Sequence, residues 1–197
     1  MHETLQQSSI VWEYGQPWLV QIEPAFTPGW VSIGRDNDGL VIRADLDDTH
    51  VMMDVFPFNY PAFMQCDVFE IFIGPAGGQG YYELHVTPSN SVLQLYFDGS
   101  NTKKTLEERM VAQPLFTSQT HLTPRGWSAL VRISLKSLFS ASHAEWLLSF
   151  GRYDYSPSQP KPVISSTSLH TVCDFHRKQE WRRVVLESLP LLPKNKF

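Results

Sequence analysis

Glu70, Glu83, His85 and Arg152 are the side chains whose types and settings could do chemistry in this chain. Glu70 stands inside the apolar run DVFEIFI, and Glu83 and His85 stand inside YYELHV. An ionisable group in the middle of a strand is costly to bury unless something pairs with it, so each marks a structural ion pair or a ligand site. Arg152, at the end of EWLLSFGRY, is the cation that Glu70 would take as a buried partner. The same Glu and Arg could instead grip the hydroxyls of a polar ligand. Two carboxylates, Glu70 and Glu83, could also act as the acid and base of a glycoside hydrolase, where their separation decides the outcome. Glu83 and His85 are two apart and share one face of their strand, with Tyr82 on the other.

Stacking surfaces and metal ligands form a second set of candidates. FPFNYPAFMQ, residues 56 to 65, packs four aromatics and two prolines into ten positions, which rules out a regular strand or helix there. Such a loop is either a lid on the core or a platform for a flat ligand. Asp45, Asp47, Asp48 and His50 cluster at a strand end, as a solvated acidic turn or as carboxylates that could hold calcium. Asp36 and Asp38 resemble a fragment of a calcium loop without its later bidentate acid, so turn chemistry is the better reading. His170 and His176 flank Cys173 and Asp174, and a zinc reading there lacks a second cluster of ligands. No G-x-S-x-G elbow, H-E-x-x-H helix, phosphate loop or dinucleotide fingerprint is present, which argues against the common enzymes. No resident metal or cofactor is expected, calcium being the one left open.

The elements that must position these groups read mostly as strands. Cys66 to Phe97 gives three consecutive strands joined by turns of Gly, Pro, Ser and Asn, the expected middle of one sheet. Trp18 to Ile22 alternates like a strand, and residues 1 to 17 read as an irregular lead-in along the sheet edge. Trp30 to Gly34 pairs with Leu40 to Leu46 through RDNDG, whose Asp, Asn and Gly tolerate left-handed backbone. Ser100 to Arg109 is the one helical stretch, capped by Asn101 or Thr102. Pro114 to Pro124 holds an edge strand. Residues 126 to 135 follow with Trp127, Ala129, Val131 and Ile133 on one face, and SLKSLF adds a single helical turn. Glu145 to Tyr153 is the next strand, and Trp181 to Leu186 closes the sheet after a long loop rich in Ser and Pro.

About ten strands with turn signals at nearly every junction predict an all-β fold. The expected form is a two-sheet antiparallel β-sandwich, jelly-roll or immunoglobulin-like, with one or two short peripheral helices. A chain of 197 residues, 42% hydrophobic and 13% aromatic, is long enough for one sizeable core, and a single domain over residues 1 to 197 is expected. The formal net charge of −4 leaves no basic footprint, so neither nucleic acid nor an anionic membrane is expected as a partner, and a monomer with a small polar ligand fits better. The N-terminus has neither a basic nor an apolar leader region, from which a soluble chain without an export signal is expected. Cys66 and Cys173 exclude a disulfide framework and read as two free, buried thiols, one bridge between them being the alternative.

Taken together, these motifs resemble a family. The Trp30 to Leu46 hairpin, D-V-F-E-I-F-I at Asp67 to Ile73, Y-Y-E-L-H-V-T-P-x-N at Tyr81 to Asn90, G-W-x-A-x-V-x-I at Gly126 to Ile133, F-G-R-Y-D-Y at Phe150 to Tyr155 and F-H-x-x-x-x-W at Phe175 to Trp181 are similar to the family 9 carbohydrate-binding modules and their relatives in the wider DOMON-like group. The resemblance covers nearly the whole chain. It implies a β-sandwich, mostly extracellular in its relatives, that binds saccharides non-catalytically through an aromatic clamp with polar side chains around it, often with structural calcium nearby. Glu70 matches the acidic strand position and Arg152 the Arg after the aromatic-Gly pair. The clamp positions, tryptophan in sugar-binding modules, fall on Tyr60 or Phe63 and on Phe175 with His176, and no Trp occupies either loop. The expected ligand-binding set is therefore Glu70, Glu83, His85 and Arg152 for polar contacts, and Tyr60, Phe63, Phe175 and His176 for stacking. Some DOMON-like domains hold b-type haem between Met and His, and Met52, Met53 and Met64 with His170 and His176 keep that alternative open.

Overall fold

A computed structural model describes residues 10–100, 102–139 and 143–192. Two antiparallel sheets face each other. The first runs in the order β1 (Ile10–Glu13), β2 (Gly29–Arg35), β3 (Leu40–Asp47), β8 (Gly126–Ile133), β7 (Phe116–Thr123). The second runs β10 (Val163–Ser166), β9 (Glu145–Asp154), β4 (Val68–Pro75), β5 (Tyr81–Val86), β6 (Val92–Phe97), with β11 (Arg182–Val185) also paired to β9. The all-β sandwich expected from the turn spacing is thus the fold, and the two helices, α1 (Leu106–Arg109) and α2 (Leu135–Leu138), are single turns.

Period two explains the core. On β8, Trp127, Ala129, Val131 and Ile133 all point inward, as their alternation predicts, against Ile33, Ile42 and Ala44 of the neighbouring strands. Phe69, Ile71 and Ile73 of β4 meet them from the opposite sheet, together with Leu84, Leu148 and Phe150. The β2–β3 hairpin turns where expected. Asp36 accepts the backbone N–H groups of Asp38 and Gly39 through one carboxylate oxygen, at 2.9 and 3.0 Å.

Four local expectations are corrected. Residues 18 to 22 form no strand. Gln16 is buried, donates from Nε2 to Glu23 and to the Ile164 carbonyl, and accepts the Glu23 N–H at 2.9 Å, so its side chain closes a loop over 16–23. The lead-in supplies β1 instead, although residues 1–9 lie outside the described residues. The long Ser- and Pro-rich loop contains β10, which pairs with the end of β9. The helix near residue 106 is capped by Thr105, with Glu108 returning to the Thr105 N–H in a capping box; Asn101 lies outside the described residues. Finally, both cysteines are free, but only Cys66 is buried and Cys173 is exposed.

Candidate functional site

The outer face of the second sheet carries the polar groups singled out above. Glu70 lies opposite His85, and Phe72 opposite Glu83, across the β4–β5 ladder. Directly opposed residues point to the same side, so Glu70, Phe72, Glu83 and His85 share one face. Leu95 and Phe97 of β6 continue that face beside Glu83 and Tyr81. On the other flank β9 places Gly151 beside Glu70. A Cβ at Gly151 would stand 2.7 Å from the Phe175 ring and 2.8 Å from Glu70 Oε2, so glycine lets both lie close to the strand.

Loops wall this face in. The segment from Cys173 to Trp181 folds over it and seats Phe175 and Trp181 on Phe72 and Tyr81 in a small aromatic cluster. The 3-10 turn Ala62–Met64 brings Phe63 edge-on to His85, at 5.5 Å between ring centroids, and to Tyr153. Between these walls lies a cavity of about 440 Å³ lined by Phe63, Glu70, Glu83, Tyr153, Phe175 and His176, with Lys104 and Arg109 at its β6 side.

The floor is a buried proton-sharing group. His85 Nε2 is 2.5 Å from Glu83 Oε1 and 3.3 Å from Glu70 Oε1. The shorter contact is a hydrogen bond between the imidazole and the Glu83 carboxyl group. Burial pushes Glu70 up to about 8, opposed by His85 and reinforced by the Glu83 charge. Burial alone would lower His85, but the Glu70 charge and the Glu83 hydrogen bond and charge outweigh it and hold the imidazole above its ordinary value. His176 Nδ1 meets the Tyr81 hydroxyl at 2.8 Å while its Nε2 lies 3.6 Å from Glu83 Oε2.

Of the eight expected ligand residues, six come together here: Glu70, Glu83, His85, Phe63, Phe175 and His176. Tyr60 does not line the cavity; it stacks on Phe56 at 4.6 Å and accepts from Gln65. Arg152 opposes Phe69, not Glu70, across β4–β9, and so projects to the interior face. The expected Glu70–Arg152 ion pair is therefore replaced by Glu70–His85 on one side of the sheet and Arg152–Asp154, at 3.0 Å, on the other. Sequence reading missed Phe72, Leu95, Phe97 and Tyr153 as lining residues. Phe72 was within reach of it, being two positions beyond Glu70 on the same face.

Arg152 sits in a second buried cluster, with Asp48, Asp67 and Asp154, whose carboxylates lie within 4.8 Å of one another. Calcium takes six to eight oxygens, whereas most carboxylate oxygens of this cluster already accept from protein donors, Asp48 Oδ2 being buried without one. Both Asp67 oxygens accept backbone N–H groups, from Met52 and Tyr155, and Asp154 Oδ2 accepts from Thr27 and Arg152. The guanidinium, which also donates to the carbonyls of Asp47 and Thr27, already supplies the cation. The strand-end acids disperse as well. Asp45 takes both guanidinium donors of Arg43, Asp47 pairs with Arg125, Asp48 turns inward, and His50 donates its backbone N–H to Asp48. As for haem or zinc ligation by His170, both its ring nitrogens are engaged, by Glu180 at 3.1 Å and Ser149 at 3.4 Å.

Burial pushes Asp67 up to about 8 as well, with the nearby Asp48 adding to it. Carboxyls that hold protons to higher pH folded than unfolded make the folded chain bind more protons between about pH 4 and 8, so stability falls as pH rises through that window. The raised His85 acts in the same direction, its contribution being lost as pH rises through its folded value. His170, lowered by burial, opposes folding only below its ordinary value of 6.5. The melting temperature is therefore expected to fall steadily from about pH 6 to pH 9. A flat or rising melting temperature over that range in a scanning calorimeter would refute the buried carboxyl assignment.

No protein-family model and no curated protein matches the chain. Solved structures do match. A candidate carbohydrate-binding protein from Bacteroides uniformis superposes with a TM-score of 0.70 at 13% identity, over 90% of this chain and 86% of that one. A family 9 carbohydrate-binding module from Caldicellulosiruptor kristjanssonii, solved with cellotriose, gives 0.59 at 14% identity, over 89% and 81%. The glucose complex of a family 9 module from the same organism gives 0.60 at 15% identity, over 88% and 82%. The chain thus has the fold of family 9 carbohydrate-binding modules, as its motifs suggested.

Proposed function

We propose that this chain is a non-catalytic carbohydrate-binding domain that takes a saccharide into the cavity on the outer face of its second sheet. The observation that carries the reading is the pairing, in one cavity, of a carboxylate and imidazole floor with aromatic walls. Its volume lies within the few hundred to about a thousand Å³ of small-ligand sites. Sugar hydroxyls need charged acceptors and donors, which Glu83 and His176 offer, and the apolar faces of sugar rings need aromatic surface, which Phe63, Tyr153 and Phe175 offer. The similarity to modules solved with glucose and cellotriose supports the same assignment. A walled cavity with a polar floor suits one or two sugar units at a chain end better than the flat flank of a long chain.

Phe63 tests this because it forms a wall of the cavity and belongs to neither of the two buried hydrophobic clusters. Phe63→Ala is expected to weaken saccharide binding about 10-fold, roughly 1.4 kcal/mol, the order of one aromatic contact. Calorimetric titration of the wild type and the variant with the same sugar reads the difference. Equal affinities would remove the ligand from this cavity.

A further inference from the structure

We infer that the floor of this cavity is a site for one divalent transition ion of the zinc class, held by Glu70, Glu83, His85 and His176. The inference goes beyond the saccharide reading and does not depend on it. Glu70, Glu83 and His85 each present a donor atom within 4.8 Å of the others. Around a tetrahedral ion with bonds of about 2.0–2.2 Å, neighbouring donors stand roughly 3.3–3.6 Å apart. Here His85 Nε2 is 3.3 Å from Glu70 Oε1 and His176 Nε2 is 3.6 Å from Glu83 Oε2, whereas His85 Nε2 and Glu83 Oε1 share a hydrogen bond at 2.5 Å, so the ion would take the place of that proton, release it to solvent and part the two donors.

The decisive atom is Glu83 Oε2. Glu83 is 7% exposed and lines the cavity, yet this oxygen is buried without a hydrogen-bond partner. Leaving a buried acceptor unpaired is unfavourable, and more so for a charged group, so an ion beside it would supply the missing partner. His176 is set up to share that ion. Its Nδ1 is engaged by the Tyr81 hydroxyl, which fixes the ring and leaves Nε2 facing the carboxylate, the outer-shell arrangement common to metal-bound imidazoles. Two imidazoles among four ligands favour zinc and its neighbours over calcium or magnesium, which take oxygen.

The test is a calorimetric titration of the full chain, cleared with chelator, using zinc chloride and no sugar. One ion per chain is expected, with a melting temperature that rises with zinc concentration. His176 is 46% exposed at its side chain, so His176→Ala should keep the fold while weakening zinc at least about 10-fold, and Glu83→Gln should do the same. If Glu83→Gln does not fold, His176→Ala decides alone. Absence of binding, or zinc affinity unchanged in the folded variants, would overturn the site whatever the outcome with saccharides.

Discussion

Arg152→Ala is expected to cost about 3–5 kcal/mol, the usual penalty for stripping the partner from buried charges, against a total of roughly 5–15 kcal/mol for a domain. Arg152 is 1% exposed and is the cation facing Asp48, Asp67 and Asp154, with Asp154 Oδ2 at 3.0 Å and Asp48 Oδ2 at 3.8 Å. It also ties the carbonyls of Thr27 and Asp47, on either side of the β2–β3 hairpin, to β9. Removing it leaves carboxyls that can relax only by taking up protons. The loss should therefore shrink as the pH is lowered towards 5, which guanidinium unfolding curves at two pH values would reveal. A loss below about 1 kcal/mol would show that the network is not held by its arginine.

The second large effect is expected at Phe175. Its ring lies in the aromatic cluster with Phe72, Tyr81 and Trp181, contacts Trp18 and Tyr153, and closes over Gly151 beside Glu70. Truncating a well-packed phenylalanine costs about 3–5 kcal/mol where the site cannot collapse. Phe175→Ala should fall near the lower end, about 3 kcal/mol, because this cluster is smaller than the main core. The loop that walls the cavity would lose its anchor, so saccharide binding should disappear under conditions where the variant is still folded. Binding retained at wild-type affinity would mean that this loop does not shape the site.

The contrast between these two residues shows what the sequence could disclose. Hydrophobic alternation identified the β2–β3 hairpin, the β4–β6 meander and the inward face of β8, because period two is local information. Glu70, Glu83 and His85 were visible as charges in the middle of apolar strands for the same reason. Their partners were not. The pairing of β4 with β9 joins strands more than 70 residues apart, and a shift of one residue exchanges the two faces of a sheet. Register put Arg152 beside Phe69 and Gly151 beside Glu70, which sent the arginine inward and left the glutamate to His85. Similarly, Trp18 to Ile22 has the alternation of a strand but is turned into a loop by Gln16, a tertiary contact that no local pattern records. β1 and β10, four residues each, carry too short a pattern to stand out from polar surroundings.

Saccharide binding by the unmodified chain is the central claim, and titration by calorimetry, with thermal shift alongside, against a panel of mono- and oligosaccharides tests it most directly. The account predicts that one sugar class binds at one site per chain and raises the melting temperature with concentration, by about 2.7 kcal/mol of added stability at 100 times the dissociation constant. Neither heat nor a shift with any sugar of the panel would contradict it.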